Sequence, residues 1–131
     1  MSEIKVPVSP GELLDKITIL RIKAQRMSDP VKLSNVRLEL RTLEETWGAS
    51  AYAKTDIGAD IGALAAVNER LWVIEDDIRD KERARAFDAE FIRLARAVYI
   101  ENDERAAIKR RINAKLGSAL VEEKSYRDYK T

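Results

Sequence analysis

Seven large aliphatic side chains recur at steps of three and four in one stretch of the chain: Ile57, Ile61, Leu64, Val67, Leu71, Ile74 and Ile78. On an α-helix this spacing draws one unbroken apolar stripe, whereas a strand would scatter the same residues over both faces. A polypeptide carrying such a stripe must supply other helices to cover it. A second stripe runs beside the first, made of Asn68, Trp72, Glu75, Arg79 and Glu82. Polar groups flanking a core stripe this regularly are candidates for a site.

The rest of the chain supplies the partners. Ser9-Pro10-Gly11-Glu12 is a helix start, with Ser9 as cap, Pro10 in the first turn and Glu12 placed for a capping box. Leu13, Ile17, Leu20, Ala24 and Met27 form its seam, while Leu14, Ile19 and Ile22 point to other sides. A helix apolar on several sides is central or shared with another subunit. Asp29 and Pro30 open a second helix with the seam Leu33, Val36, Leu40, Leu43 and Trp47. So short a connection predicts an antiparallel hairpin. The segment from Gly48 to Thr55 reads as a loop, and the tetrapeptide Asp56-Ile57-Gly58-Ala59 is repeated at once as Asp60-Ile61-Gly62-Ala63. Gly58, Gly62, Ala63 and Ala66 predict a close approach by a neighbouring helix. No Gly or Pro marks the end of helix three, so the turn is placed near Ala86 to Asp88, with Asp88 capping helix four. Phe87, Phe91, Leu94, Ala95 and Val98 open the last seam. Asn102, Arg105 and Lys109 continue it, Ile112 and Leu116 close it, and Gly117 suits a C-cap.

The expected fold is therefore all-α, an up-down bundle of about four helices in a single domain. Residues 1–8 form an extended N-terminal strap along the bundle, 9–117 the bundle, and 118–131 a flexible, charged tail. Leu120, Val121, Tyr126 and Tyr129 are the expected anchors of that tail.

Composition narrows the chemistry. The 131 residues contain no Cys and no His, which removes thiol nucleophiles, imidazole bases and the usual zinc or iron ligand sets. Any metal would need hard oxygen ligands, as Mg does. Lys and Arg number 24 against 23 Asp and Glu, so no global field favours nucleic acid or membrane. No apolar run approaches a membrane span and no signal-peptide pattern opens the chain, so a cytoplasmic protein without membrane insertion is expected.

One constellation stands out. If helices three and four pack antiparallel, Glu75 and Glu82 face Arg105 and Lys109. The bland account is a structural ion-pair network. The functional account is a ligand pocket made of Asn68, Trp72, Glu75, Asp76, Arg79, Asn102, Arg105 and Lys109, with the bases holding an anion and Glu75 and Asp76 holding Mg or acting as bases. Carboxylates three apart, as at Glu12/Asp15, Asp77/Asp80 and Glu101/Glu104, also occur in Mg-binding helical pyrophosphohydrolases. About four such pairs arise by chance in so acidic a chain, so the spacing decides nothing. The basic run Lys109-Arg110-Arg111 spreads around a helix and makes no phosphate-tracking stripe.

Several blocks together resemble a bacterial, all-helical domain family of unknown function: V-S-P-G-E-L-L-D-K-I-T-I-L-R-I-K from Val8, L-W-V-I-E-D-D-I-R-D-K-E from Leu71, F-I-R-L-A-R-A-V-Y from Phe91, N-D-E-R-A-A-I-K-R-R-I-N from Asn102 and E-E-K-S-Y from Glu122. The resemblance spans nearly the whole chain. It implies a small stand-alone bacterial protein. Similar domains beside tetratricopeptide-repeat or glycosyltransferase-type proteins imply a link to surface-polysaccharide assembly. It assigns no catalytic residues. Two functions are carried forward. The first is a non-enzymatic interaction module forming a homo-oligomer or binding a partner protein, without a cofactor. The alternative is binding of a phosphate or nucleotide-sugar ligand, or its Mg-dependent hydrolysis, at the polar cluster.

Overall fold

The computed structural model describes residues 2–130. Four helices follow one another: α1 (Pro10–Arg26), α2 (Pro30–Gly48), α3 (Gly58–Arg83) and α4 (Ala89–Lys115). No strand occurs among the described residues. The fold is the all-α bundle that the apolar spacing predicts.

The helix starts follow local chemistry. Ser9 Oγ accepts the Glu12 amide at 3.2 Å, and Pro10 sits in the first turn, where its missing N–H costs nothing. Asp29 caps α2 by accepting the Lys32 amide at 3.3 Å, again ahead of a proline. Asp88 does the same for α4, accepting the Phe91 amide at 3.0 Å. At the far end of α4, Gly117 adopts φ 66°, and the Ser118 amide reaches back to the Asn113 carbonyl at 2.9 Å. This left-handed closure ties down the last free carbonyls of the helix.

The end of α3 uses the same closure without glycine. Arg85 stands at φ 52°, and the Ala86 amide bonds to the Lys81 carbonyl at 3.0 Å. An arginine in a left-handed position is sterically disfavoured. That is why no residue type announced this helix end.

The bundle is uneven. α1 lies against all three other helices, while α2 packs against α1 alone. Both facts follow from the apolar pattern. Leu13, Leu14, Ile17, Leu20 and Ile22 project on several sides of α1, and all are buried. α2 carries one narrow stripe, of which only Val36 is buried. α3 and α4 run antiparallel, as the ion pairs Arg70–Glu101 and Lys81–Asp88 mark along their length. Leu14, Ile57, Leu64, Val67, Ile108 and Ile112 form the densest part of the core, with Trp47 packed at its edge. Each such side chain contributes roughly 1.5–3 kcal/mol by leaving water.

α3 and α4 have 26 and 27 residues against 17 in α1, so their distal ends project past it. No residue from Trp72 to Arg93 is buried. Phe87 and Phe91 meet edge to face at 5.1 Å near this tip.

Residues 2–8 carry no regular structure, and Ile4 and Val6 stay in water, 89% and 67% exposed. Two local expectations change. The tail is anchored by charge and one ring contact, not by its aliphatic residues: Glu122 pairs with Lys109, Lys124 with Asp103, and Tyr129 meets Tyr99 edge to face at 4.9 Å. Leu120, Val121 and Tyr126 are exposed. The close helix approach occurs at Gly11 and not at Gly62, whose surroundings are open.

Candidate functional site

The polar groups that the fold encloses gather where the N-terminal half of α1 crosses the C-terminal half of α4. Asp15, on the α1 face shared by Gly11, Thr18 and Ile22, is 1% exposed. Arg105 of α4 reaches it with two donors, Nε to Oδ1 at 2.8 Å and Nη2 to Oδ2. Asn68 of α3 donates from Nδ2 to Asp15 Oδ1 and to Thr18 Oγ1, both at 2.9 Å. Thr18 donates in turn to the Asp15 carbonyl at 2.8 Å. Three helices are thus stitched through one carboxylate. A buried carboxylate is tolerated only when its lone pairs are filled in this way.

One turn towards the N-terminus of α1, the chains come closer still. The Gly11 amide donates to Asn113 Oδ1 at 2.8 Å. Lys109, 6% exposed, places Nζ at 2.6 Å from Glu12 Oε2 and at 2.6 Å from Glu122 Oε2. Glu12 therefore spends its carboxylate on Lys109 and does not close the capping box expected at Ser9. Burial works against the charge on Lys109, but Glu12 and Glu122 outweigh it and hold its pKa above the usual lysine value. The Asp15 hydrogen bond likewise raises the Arg105 pKa despite partial burial. Both groups are cations at neutral pH.

The tail runs beside this cluster and borders an open groove of about 930 Å³, lined by Tyr99, Asn102, Arg105, Lys109, Glu122 and Tyr126 among others. Arg105 keeps 29% of its side chain exposed towards solvent, and its Nη1 lies 3.4 Å from Asn102 Oδ1.

Of the residues singled out in the sequence, Asn68, Asn102, Arg105 and Lys109 come together here. Glu75 and Arg79 pair with each other at 3.4 Å on an exposed stretch of α3, and Asp76 is exposed beside them. Trp72 is half-buried, one turn beyond Asn68. Arg105 and Lys109 are met by acids of α1 and the tail, not by acids of α3. The sequence does not place Glu12, Asp15, Thr18, Asn113 or Glu122 in this pocket; Glu12 and Asp15 figure in it only as carboxylates three apart. For Asp15 a signal existed: Gly11, Asp15, Thr18 and Ile22 follow a four-three-four spacing, which marks a charge set into a covered face.

No three acidic side chains converge on a metal-sized space among the described residues. The pair Glu12/Asp15 is engaged by Lys109 and Arg105, and Glu101 by Arg70. No buried side-chain nitrogen or oxygen among them lacks a hydrogen-bond partner. The arrangement is built to hold charge in place.

A second knot lies further along α3 and α4. Asp60, 4% exposed, accepts from Lys115 Nζ at 2.6 Å and from Arg111 Nε at 2.7 Å. The Lys115 hydrogen bond, then that of Arg111, lowers its pKa below the ordinary 3.8, against the opposing effect of burial. A carboxyl whose folded pKa is depressed stabilises the fold above its unfolded value and ceases to do so as pH falls through the folded one. Denaturant unfolding at a series of pH values between 5 and 3 should therefore show a steeper loss of stability in the wild type than in Asp60→Asn. Equal slopes would mean that this pairing is not formed in solution.

No described helix is long and apolar enough to cross a membrane. Neither the curated proteins nor the solved structures include a match to this chain. A model of one protein family does match, over residues 4–129, which takes in α1 to α4 and most of the tail. The chain thus belongs to the family of unknown function DUF6165.

Proposed function

We propose that the protein binds a small ligand through an anionic group at Lys109 and Arg105, in the groove beside the tail. One observation carries this reading. Lys109 holds two carboxylates, and the second, Glu122, comes from a segment without regular structure and is 55% exposed. Glu12 alone neutralises the lysine. Glu122 thus stands where the carboxylate or phosphate of a ligand would stand, and it can return to water at little cost. The groove has the volume typical of small-molecule sites. Both signs of charge line it, which suits a ligand with hydroxyls beside its anion, such as a nucleotide sugar, better than a polyanion.

The role is binding rather than hydrolysis. Asp15 and Glu12, the two carboxylates that stay against Arg105 and Lys109 when Glu122 gives way, are each engaged by a cation and do not activate water.

Calorimetry with inorganic phosphate, nucleotides and nucleotide sugars, with and without Mg, tests the reading. Glu122→Gln should bind the same ligand several-fold more tightly, because the internal competitor is gone, and Arg105→Gln should lose binding. A panel without any binder, or an affinity indifferent to Glu122, would refute it.

Association between chains, the other function that the sequence suggests, finds little free apolar surface on α1. Of Leu14, Ile19 and Ile22, the first and last are buried in the protein's own core, and only Ile19 keeps part of its surface in water.

A further inference from the structure

The outward side of α4 has a symmetry that the site does not use. Ile100 is 41% exposed at the centre of this side. Arg96 lies one turn before it and Glu104 one turn after, both exposed. Neighbouring charges are satisfied within the chain: Arg93 by Glu90, and Glu101 by Arg70. Arg96 and Glu104 form no ion pair among the described residues. Shallow grooves flank the stripe and meet at Ile100. One is bordered by Ala89, Ile92 and Ala97, the other by Glu104 and Ala107. Ala89 and Ala97 leave the first open to another helix; the second has Ala107 on α4 and is bounded on its far side by Arg70 and by Tyr129 and Lys130 of the tail.

We propose that this face of α4 binds the same face of a second copy, with the two α4 helices antiparallel about a two-fold axis at Ile100. Such an axis brings each chain's patch onto itself. It sets Ile100 against Ile100 of the second copy. It sets Arg96 against the other chain's Glu104, and Glu104 against its Arg96, so two ion pairs close on either side of an aliphatic contact. It also sets Arg93 against Ala107, where the small side chain avoids a clash. Antiparallel helices further oppose their dipoles favourably. Charge complementarity of this kind names a second copy as the occupant, because the required partner pattern is the chain's own.

The stripe from Ile92 to Ala107 is about 24 Å long at 1.5 Å per residue. One helix face of that length falls short of the area that permanent interfaces bury. The dimer should therefore be weak, with a dissociation constant of micromolar order or above, and visible only in concentrated solution. The ligand site is centred on another side of α4, at Arg105 and Lys109, although Asp103 and Tyr129 border both it and the second groove.

Sedimentation velocity over a hundredfold concentration range tests it. The wild type should pass from monomer to dimer. Arg96→Glu and Glu104→Arg should each stay monomeric, since each places like charges together twice. An equimolar mixture of the two variants should dimerise, because every juxtaposed pair is then opposite in sign. Circular dichroism confirms that these exposed substitutions leave the helices intact. A wild type that stays monomeric throughout, a dimer untouched by either reversal, or a mixture that fails to associate would each overturn the proposal.

Discussion

Asp15→Ala should lower the free energy of unfolding by about 3 kcal/mol, the lower end of the cost of breaking a buried ion pair. The lower end applies because Arg105, once abandoned, still reaches water with part of its side chain. Asp15 itself is buried, so its removal also takes away one of the two acceptors of the Asn68 amide and opens a small void between α1 and α4. Alanine's better helix propensity returns only about half a kcal/mol. A domain of this size should lose on the order of 10 °C in Tm. Glu12→Ala is the comparison. Its pair with Lys109 is partly exposed and Glu122 remains to neutralise the lysine, so the loss should stay within about 1 kcal/mol. Urea unfolding followed by circular dichroism measures both. Replacing the pair together, as Asp15→Leu with Arg105→Met, should recover most of the stability, because a matched apolar pair leaves no unpaired charge. Equal losses in Asp15→Ala and Glu12→Ala would show that the Asp15 network does not hold the helices together.

The same network shows which parts of this molecule its residues announce. The starts of α1 and α2 are legible because each rests on a cap followed at once by a proline, at Ser9-Pro10 and Asp29-Pro30. The core stripe of α3 was legible because periodicity is a local property. Ile108 is 1% exposed, although it adjoins the basic run Lys109-Arg110-Arg111, which reads as a solvated face. The candidate bases Arg105 and Lys109 were found, but their acids were sought on the wrong helix. Which helix lies across the C-terminal half of α4 is decided by packing over about a hundred residues of separation, and no spacing rule carries that information. The repeated Asp-Ile-Gly-Ala makes the same point. Asp56 Oδ1 accepts the Gly58 amide at 3.3 Å on the surface, while Asp60, four residues on, is buried under Arg111 and Lys115. Identical words have different roles because one precedes the helix and the other lies inside it.

Gly11 and Gly62 should answer the same substitution with opposite signs. Both lie in helices, where alanine is intrinsically better than glycine by roughly 0.5–1 kcal/mol. At Gly62 nothing lies within 4 Å of an added methyl group, so Gly62→Ala should stabilise by about that amount. At Gly11 the methyl carbon would stand 2.7 Å from the Lys109 carbonyl oxygen and 2.9 Å from Asn113 Oδ1. The first is backbone of a packed helix and does not move alone. Relieving the contact means shifting α1 away from α4, which stretches the Gly11–Asn113 hydrogen bond and the pairs at Lys109 and Arg105 behind it. Overpacking of this kind costs about 1–3 kcal/mol, and the coupled polar contacts put Gly11→Ala near the top of that range, well beyond the gain in propensity. Thermal unfolding of the two variants beside the wild type separates the effects. If Gly11→Ala were as stable as Gly62→Ala, α1 and α4 would not approach this closely, and the polar cluster that depends on that approach would have to be looser than the structure has it.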